Sequence, residues 1–107
     1  MEKTRKKKYK LLQTDLTIEY KDKVVGEDNE WQFGYTQWDT SKCNIYISTK
    51  DKNGKALSKE EIEMTVRHEL FHFLFSLLYY NEENNNEHLV EWLARSTQIL
   101  NQQGLKI

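Results

Sequence analysis

Arg67-His68-Glu69-Leu70-Phe71-His72 is the stretch on which the reading of this chain turns. It contains H-E-x-x-H, and in a helix that spacing has a physical purpose. Residues four apart lie on one helical face, with Cβ atoms about 5–6 Å apart. Two imidazoles placed so can both reach one zinc ion at about 2.0–2.1 Å. Glu69 projects beside them, where a carboxylate can hold and deprotonate a zinc-bound water. His68 and His72 are therefore candidate metal ligands, and Glu69 is the candidate catalytic base. Two half-buried histidines and a solvated glutamate would spell the same letters. The flanking sequence therefore has to supply a helix and a third ligand.

The helix is well announced. Ser58-Lys59-Glu60-Glu61 is a capping box, with Ser58 as N-cap and Glu61 reaching back, and Leu57 and Ile62 are spaced as a hydrophobic staple. A helix is expected over 59–80, turning Ile62, Val66, Phe73 and Leu77 toward a core. The polar run 81–86 breaks the pattern and offers N-caps for a second helix over 87–102. Leu89, Leu93 and Leu100 mark the expected core face of that helix, widened by Val90, Trp92 and Ile99. Gly104 is placed as its C-terminal cap.

That second helix carries the third ligand. A catalytic zinc usually takes three protein ligands and leaves one position for water. Glu87 and Glu91 follow His72 by 15 and 19 residues and share a helical face. One would bind the metal, and the other would accept the N–H of a ligand histidine, fixing its orientation. Glu87 opens the helix, where the helix can pack against the middle of the first, and is the preferred ligand. Glu91 is the supporting carboxylate or the alternative ligand. His88 points to another face and reads as a spectator. Tyr79 and Tyr80 could offer a phenol to a developing oxyanion, although packing is expected of at least one of them.

Upstream, alternation and turn chemistry predict strands at 16–20, 31–38 and 44–48, separated by turns at 26–29 and 39–42. The expected fold is α+β: a small antiparallel three-stranded sheet followed by two packed helices. Lys3, Arg5, Lys6, Lys7, Lys8 and Lys10 make residues 1–10 a basic segment, expected to be a flexible tail, with one domain over 11–107. An electrostatic arm for nucleic acid or an acidic partner is the alternative reading of that tail.

At 107 residues and a net charge of -1, the chain is one small domain and not a strongly basic nucleic-acid binder. The single cysteine, Cys43, has no partner for an intrachain disulfide and reads as a packing residue. Neither a signal peptide nor a run long enough for a membrane span is evident, so a cytoplasmic location is expected.

The same residues carry a family resemblance. Cys43-Asn44-Ile45-Tyr46-Ile47 ahead of the helix, Arg67 to His72, and Glu87-His88-Leu89-Val90-Glu91-Trp92-Leu93-Ala94 together resemble a small gluzincin. More particularly, the chain resembles the ImmA/IrrE-like zinc metallopeptidases and their short phage and mobile-element relatives, over roughly residues 31–100. The resemblance implies a minimal zincin core and zinc held by His68, His72 and Glu87. It also implies Glu69 as general base, Glu91 in support, and a bacterial or phage-infected host cell. The substrate would be a peptide or protein. Its backbone would add to the strand next to the active helix, here Asn44, Ile45, Tyr46, Ile47 and Ser48, expected to be an edge strand. The competing functions are a non-catalytic zinc-containing binding or adaptor module, and a nucleic-acid-associated protein using the basic tail.

Overall fold

Cys43, Ile45 and Ile47 alternate with Asn44 and Tyr46, and the three apolar side chains are fully buried. That alternation belongs to a strand with one face on a core and the other toward solvent. In the computed structural model, which describes residues 5–105, it lies in β6 (Lys42–Ser48). The other strands are β1 (Arg5–Leu11), β2 (Thr14–Lys21), β3 (Val24–Val25), β4 (Trp31–Gln32) and β5 (Gly34–Asp39). Three helices follow: α1 (Lys59–Leu77), α2 (Asn81–Asn84) and α3 (Glu87–Gln102).

The fold is α+β, but the main sheet has four strands in the order β1-β2-β6-β5, not three, and β3 and β4 form a separate two-stranded sheet. The sheet is also mixed: β2 runs parallel to β6, with Ile18 opposite Ile45, while the outer pairs are antiparallel. Strand β6 is thus interior, flanked by β2 and β5, and the expectation that residues 44–48 form an edge is overturned. The reason is burial. With a strand at each of its edges, β6 sits mid-sheet beneath α1, and β2 sets Leu16 and Ile18 beside Ile45 and Ile47 in the core.

The basic segment is the second correction. Lys3 lies outside the described residues, but Arg5–Leu11 is a strand paired with β2 along all seven residues, not a tail. Its hairpin turns on Leu12 (φ 48) and Gln13 (φ 65). Two successive positive φ values are what a two-residue type I′ turn requires, and Asn-Gly is its usual sequence signal. Leu-Gln carries no such signal, which hides the hairpin from a reading of the sequence.

The expected strand 31–38 breaks at Phe33. Trp31 and Gln32 pair with the short β3, and β5 begins at Gly34. Ser48, fully buried, ties the pieces together: its hydroxyl donates to the Gln32 carbonyl (2.6 Å) and accepts from the Val24 N–H (2.9 Å).

Helix α1 packs across β5 and β6 and against α3. Its capping box forms as written, with Ser58 Oγ accepting from the Glu61 N–H at 3.1 Å and Glu61 Oε1 accepting from the Ser58 N–H at 3.3 Å. The helix ends at Leu77, short of 80, because Tyr79 enters the left-handed region (φ 63). The Tyr79 and Tyr80 N–H groups then close back onto the Ser76 and Phe75 carbonyls. Phe73, fully buried, anchors α1 in the core with Leu16, Ile18, Cys43, Ile45 and Ile47. Among the described residues, no helix is long and apolar enough to cross a membrane.

Helix α3 spans the expected residues and buries Val90 as expected, with Leu89 and Leu93 half-buried, but the rest of its inner face is rolled. Val90, Ala94 and Gln98 are buried, while Trp92, Ile99 and Leu100 are exposed. Gln98 explains the roll. Its Oε1 accepts from Arg67 Nε at 2.7 Å, and its Nε2 donates to Glu63 Oε2 at 3.2 Å, so a polar clamp joins α3 to α1. Buried amides persist when both ends are satisfied in this way. The same roll carries Glu87 and Glu91 toward the histidines of α1.

Candidate metal centre

One turn of α1 sets His68 and His72 side by side, with ring centroids 4.9 Å apart. Glu87, at the first position of α3, places Oε2 3.2 Å from His68 Nε2 and Oε1 3.1 Å from His72 Nε2. Asn86 caps that helix by accepting from the Leu89 N–H at 3.0 Å, which fixes where Glu87 begins.

The far side of each ring is held as well. His68 Nδ1 lies 3.0 Å from Glu91 Oε2, and Glu91 Oε1 lies 3.0 Å from Arg95 Nε. His72 Nδ1 lies 2.8 Å from Asn84 Oδ1, on α2. A carboxylate and an amide oxygen both accept, so Nδ1 of each ring is placed to donate, and Nε2 of each ring is the atom turned toward Glu87. With Nδ1 so engaged, two Nε2 atoms and a carboxylate converge on one point, the arrangement a metal ion would use.

The donor set fits a metal on geometry too. His68, His72 and Glu87 offer ligand atoms all within 4.8 Å of one another. Ligands at zinc distances in a tetrahedron stand about 3.3 Å apart, close to the spacings between Glu87 and the two rings. Nitrogen, nitrogen and carboxylate oxygen suit a borderline ion such as zinc better than calcium or magnesium, which favour all-oxygen sites.

Glu69 is buried next to this cluster, and Thr36 Oγ1 donates to its Oε1 at 2.7 Å. Thr36 is on β5, whose helix-facing residues each have a distinct task. Gly34 lets the strand approach α1: a Cβ there would stand 2.8 Å from Thr65 Cγ2 and 2.9 Å from Glu69 Cγ. Trp38 stacks on Phe73, with centroids 5.4 Å apart and planes at 8°. The cleft between β5 and the histidines, about 380 Å³, is lined by Gly34, Thr36, Trp38, Glu69, Asn84 and Glu87 among others. A second hollow of about 510 Å³ continues past His68 and Glu69 toward Phe33, Met64 and Arg95.

The expected residues are therefore not all together. His68, Glu69, His72, Glu87 and Glu91 meet. Of the strand 44–48, Ile45, Ile47 and Ser48 are fully buried, and β5 stands between β6 and the open edge of the sheet. Tyr79 and Tyr80 are exposed and line neither hollow. Reading the sequence missed Asn84, Thr36, Arg95 and Gly34. An asparagine in a polar run and a threonine in a strand are too common to signal a site by themselves.

Cys43 is fully enclosed, and burial, with a smaller contribution from the charge of Glu69, pushes its thiol up to about 12. It therefore remains a neutral packing group at physiological pH.

Comparisons of the chain with family models, curated proteins and solved structures gave no match. The functional reading therefore rests on the residues and geometry of the site.

Proposed function

We propose that the chain is a zinc-dependent peptidase in which His68, His72 and Glu87 hold the metal and Glu69 is the general base. The observation that carries this reading is the convergence of two Nε2 atoms and one carboxylate beside a buried glutamate, in a cleft walled by a sheet edge. The resemblance to ImmA/IrrE-like gluzincins supports it. Zinc bound there supplies Lewis acidity toward a peptide carbonyl and lowers the pKa of a bound water to about 7.

The protein's own groups do the rest. Glu69 takes the proton of the attacking water and returns it to the leaving amine. Thr36 engages Oε1 of that carboxylate and leaves the second oxygen for proton exchange. Glu91 and Asn84 hold the two rings in the tautomer that ligates through Nε2. Strand β5, the edge strand on this side, takes the role first expected of β6: a substrate backbone pairs with its open side across the cleft.

Metal analysis and turnover test the reading together. The wild-type protein is expected to hold one zinc per chain, and His68→Ala to lose it. Glu69→Gln should keep the metal and lose about 10²–10⁴ in peptide turnover, the usual loss on removing a general base. Asn84→Ala and Glu91→Gln should each weaken zinc binding about 10–100-fold while the fold stands. Undiminished turnover in metal-loaded Glu69→Gln would rule out the mechanism. Zinc binding by the wild type no better than by His68→Ala would rule out the site.

A further inference from the structure

We propose that the outer edge of β1 is a docking strand for an acidic, extended segment of a partner protein, whose inward side chains enter a groove between β1 and α1. This surface lies at the opposite edge of the sheet from the metal centre and does not depend on peptidase activity.

Three observations carry the inference. First, β1 ends the sheet and is paired to β2 over its whole length, from Arg5 opposite Tyr20 to Leu11 opposite Thr14, and every one of its residues is exposed. Its other edge pairs with no strand among the described residues and so presents main-chain donors and acceptors, a template for strand addition.

Second, five of its seven residues are cationic, and they alternate to both faces. Lys6, Lys8 and Lys10 lie opposite Glu19, Thr17 and Asp15, on the face away from the helices. Arg5 and Lys7 lie opposite Tyr20 and Ile18, on the face toward them. Lys10 reaches Asp15 at 3.9 Å, and Arg5 lies over the Tyr20 ring at 4.6 Å. Lys6, Lys7 and Lys8 have no ion-pair partner among the described residues. Such a strand repels a second copy of itself but attracts a strand carrying carboxylates. Each cross-strand pair of opposite charge contributes about 0.2–1 kcal/mol.

Third, α1 covers β5 and β6 and leaves a groove of about 690 Å³ on the β1 side. Tyr20, Ile62, Val66 and Leu70 give it an apolar lining, while Arg5, Lys7, Lys59 and Arg67 outnumber one carboxylate, Glu63. The matching segment alternates acidic residues with apolar ones, turning the apolar residues into the groove. A nucleic acid would use the cations but neither the open main-chain edge nor the apolar lining.

The test uses the full chain and an eight-residue fluorescent peptide alternating glutamate with valine or isoleucine. The controls are the same peptide N-methylated at alternate amides, octaglutamate and a short DNA duplex. The alternating peptide should bind, slow amide exchange along residues 5–11, and lose at least about tenfold in affinity to the Lys6→Glu/Lys8→Glu variant. A Lys52→Glu variant, changed in the loop after β6, should bind as the wild type does. Equal affinity for the N-methylated peptide or octaglutamate would overturn strand addition in favour of diffuse charge attraction. Tighter binding of the duplex would make the strand a nucleic-acid surface. No binding, or no protection at 5–11, would leave β1 a lysine-blunted edge and end the proposal. If the double variant does not fold, the N-methylated control and the exchange map still decide.

Discussion

The sheet has two edges, and they are built on opposite principles. On β5 the residues turned toward the helices are committed: Gly34 yields space to α1, Thr36 bonds Glu69, and Trp38 lies on Phe73. On β1 no residue is buried, and the strand is held by its ladder to β2 and a turn of two residues at positive φ. One edge is tuned by contact with the interior, and the other is left open and charged. The difference teaches that an edge strand's sequence is constrained by what lies under it. A substitution on β5 should reach the site, whereas one on β1 should reach only the surface and the hairpin.

Phe73→Ala attacks the support of β5 most directly. It empties a fully buried position beneath Trp38 and is expected to cost about 3–5 kcal/mol, read by urea unfolding. A loss under 1 kcal/mol would mean that Trp38 and α1 collapse into the space, and that the edge is less fixed than its contacts imply.

Gly34→Ala tests close approach without removing anything. The added methyl meets Thr65 and Glu69 at under 3 Å, so β5 and α1 must separate, at a cost of about 1–3 kcal/mol. The Thr36–Glu69 bond should weaken with it. Thermal unfolding gives the first effect, and a structure of the variant gives the second. Unchanged stability would show that the strand can shift freely.

On the other edge, the sign reverses. Leu12→Asn with Gln13→Gly supplies the residues a type I′ turn prefers, and should stabilise the hairpin by about 1 kcal/mol. The gain should appear in the unfolding midpoint while zinc affinity stays put. Lys8→Ala, at an exposed position, is expected to change stability by less than about 0.5 kcal/mol. A large loss in Lys8→Ala would erase the contrast between the edges.

Legibility follows the same division. The capping box, the start of α1, the full extent of α3, and the placing of His68 with His72 on one helical face and of Glu87 with Glu91 on another could be read because each depends on residues within a turn or two of one another. Helical period fixes their geometry before any tertiary contact exists. The alternation of 43–47 likewise marked a strand and its buried face. Its neighbours were hidden. The parallel pairing of β2 with β6 joins segments far apart in sequence, and β1 was concealed by a turn with the wrong letters.

The roll of α3 shows the limit most clearly. Apolar content pointed to Leu89, Leu93 and Leu100, widened by Val90, Trp92 and Ile99, as its inner face; Val90 is buried and Leu89 and Leu93 half-buried, but Gln98 bonding to Arg67 and Glu63 takes the place of Leu100 and Ile99 inside. That choice sets Glu87 against two imidazoles and Glu91 behind one of them. By itself the sequence determined a helix bearing two histidines and a glutamate, and a second helix with two carboxylates four residues apart, because spacing along a helix is local. The tertiary structure alone decided which strand walls the cleft, and that Asn84 and Thr36 stand beside the histidines and Glu69. Those outcomes depend on packing between distant segments, where burial and hydrogen-bond satisfaction are settled for the whole chain at once.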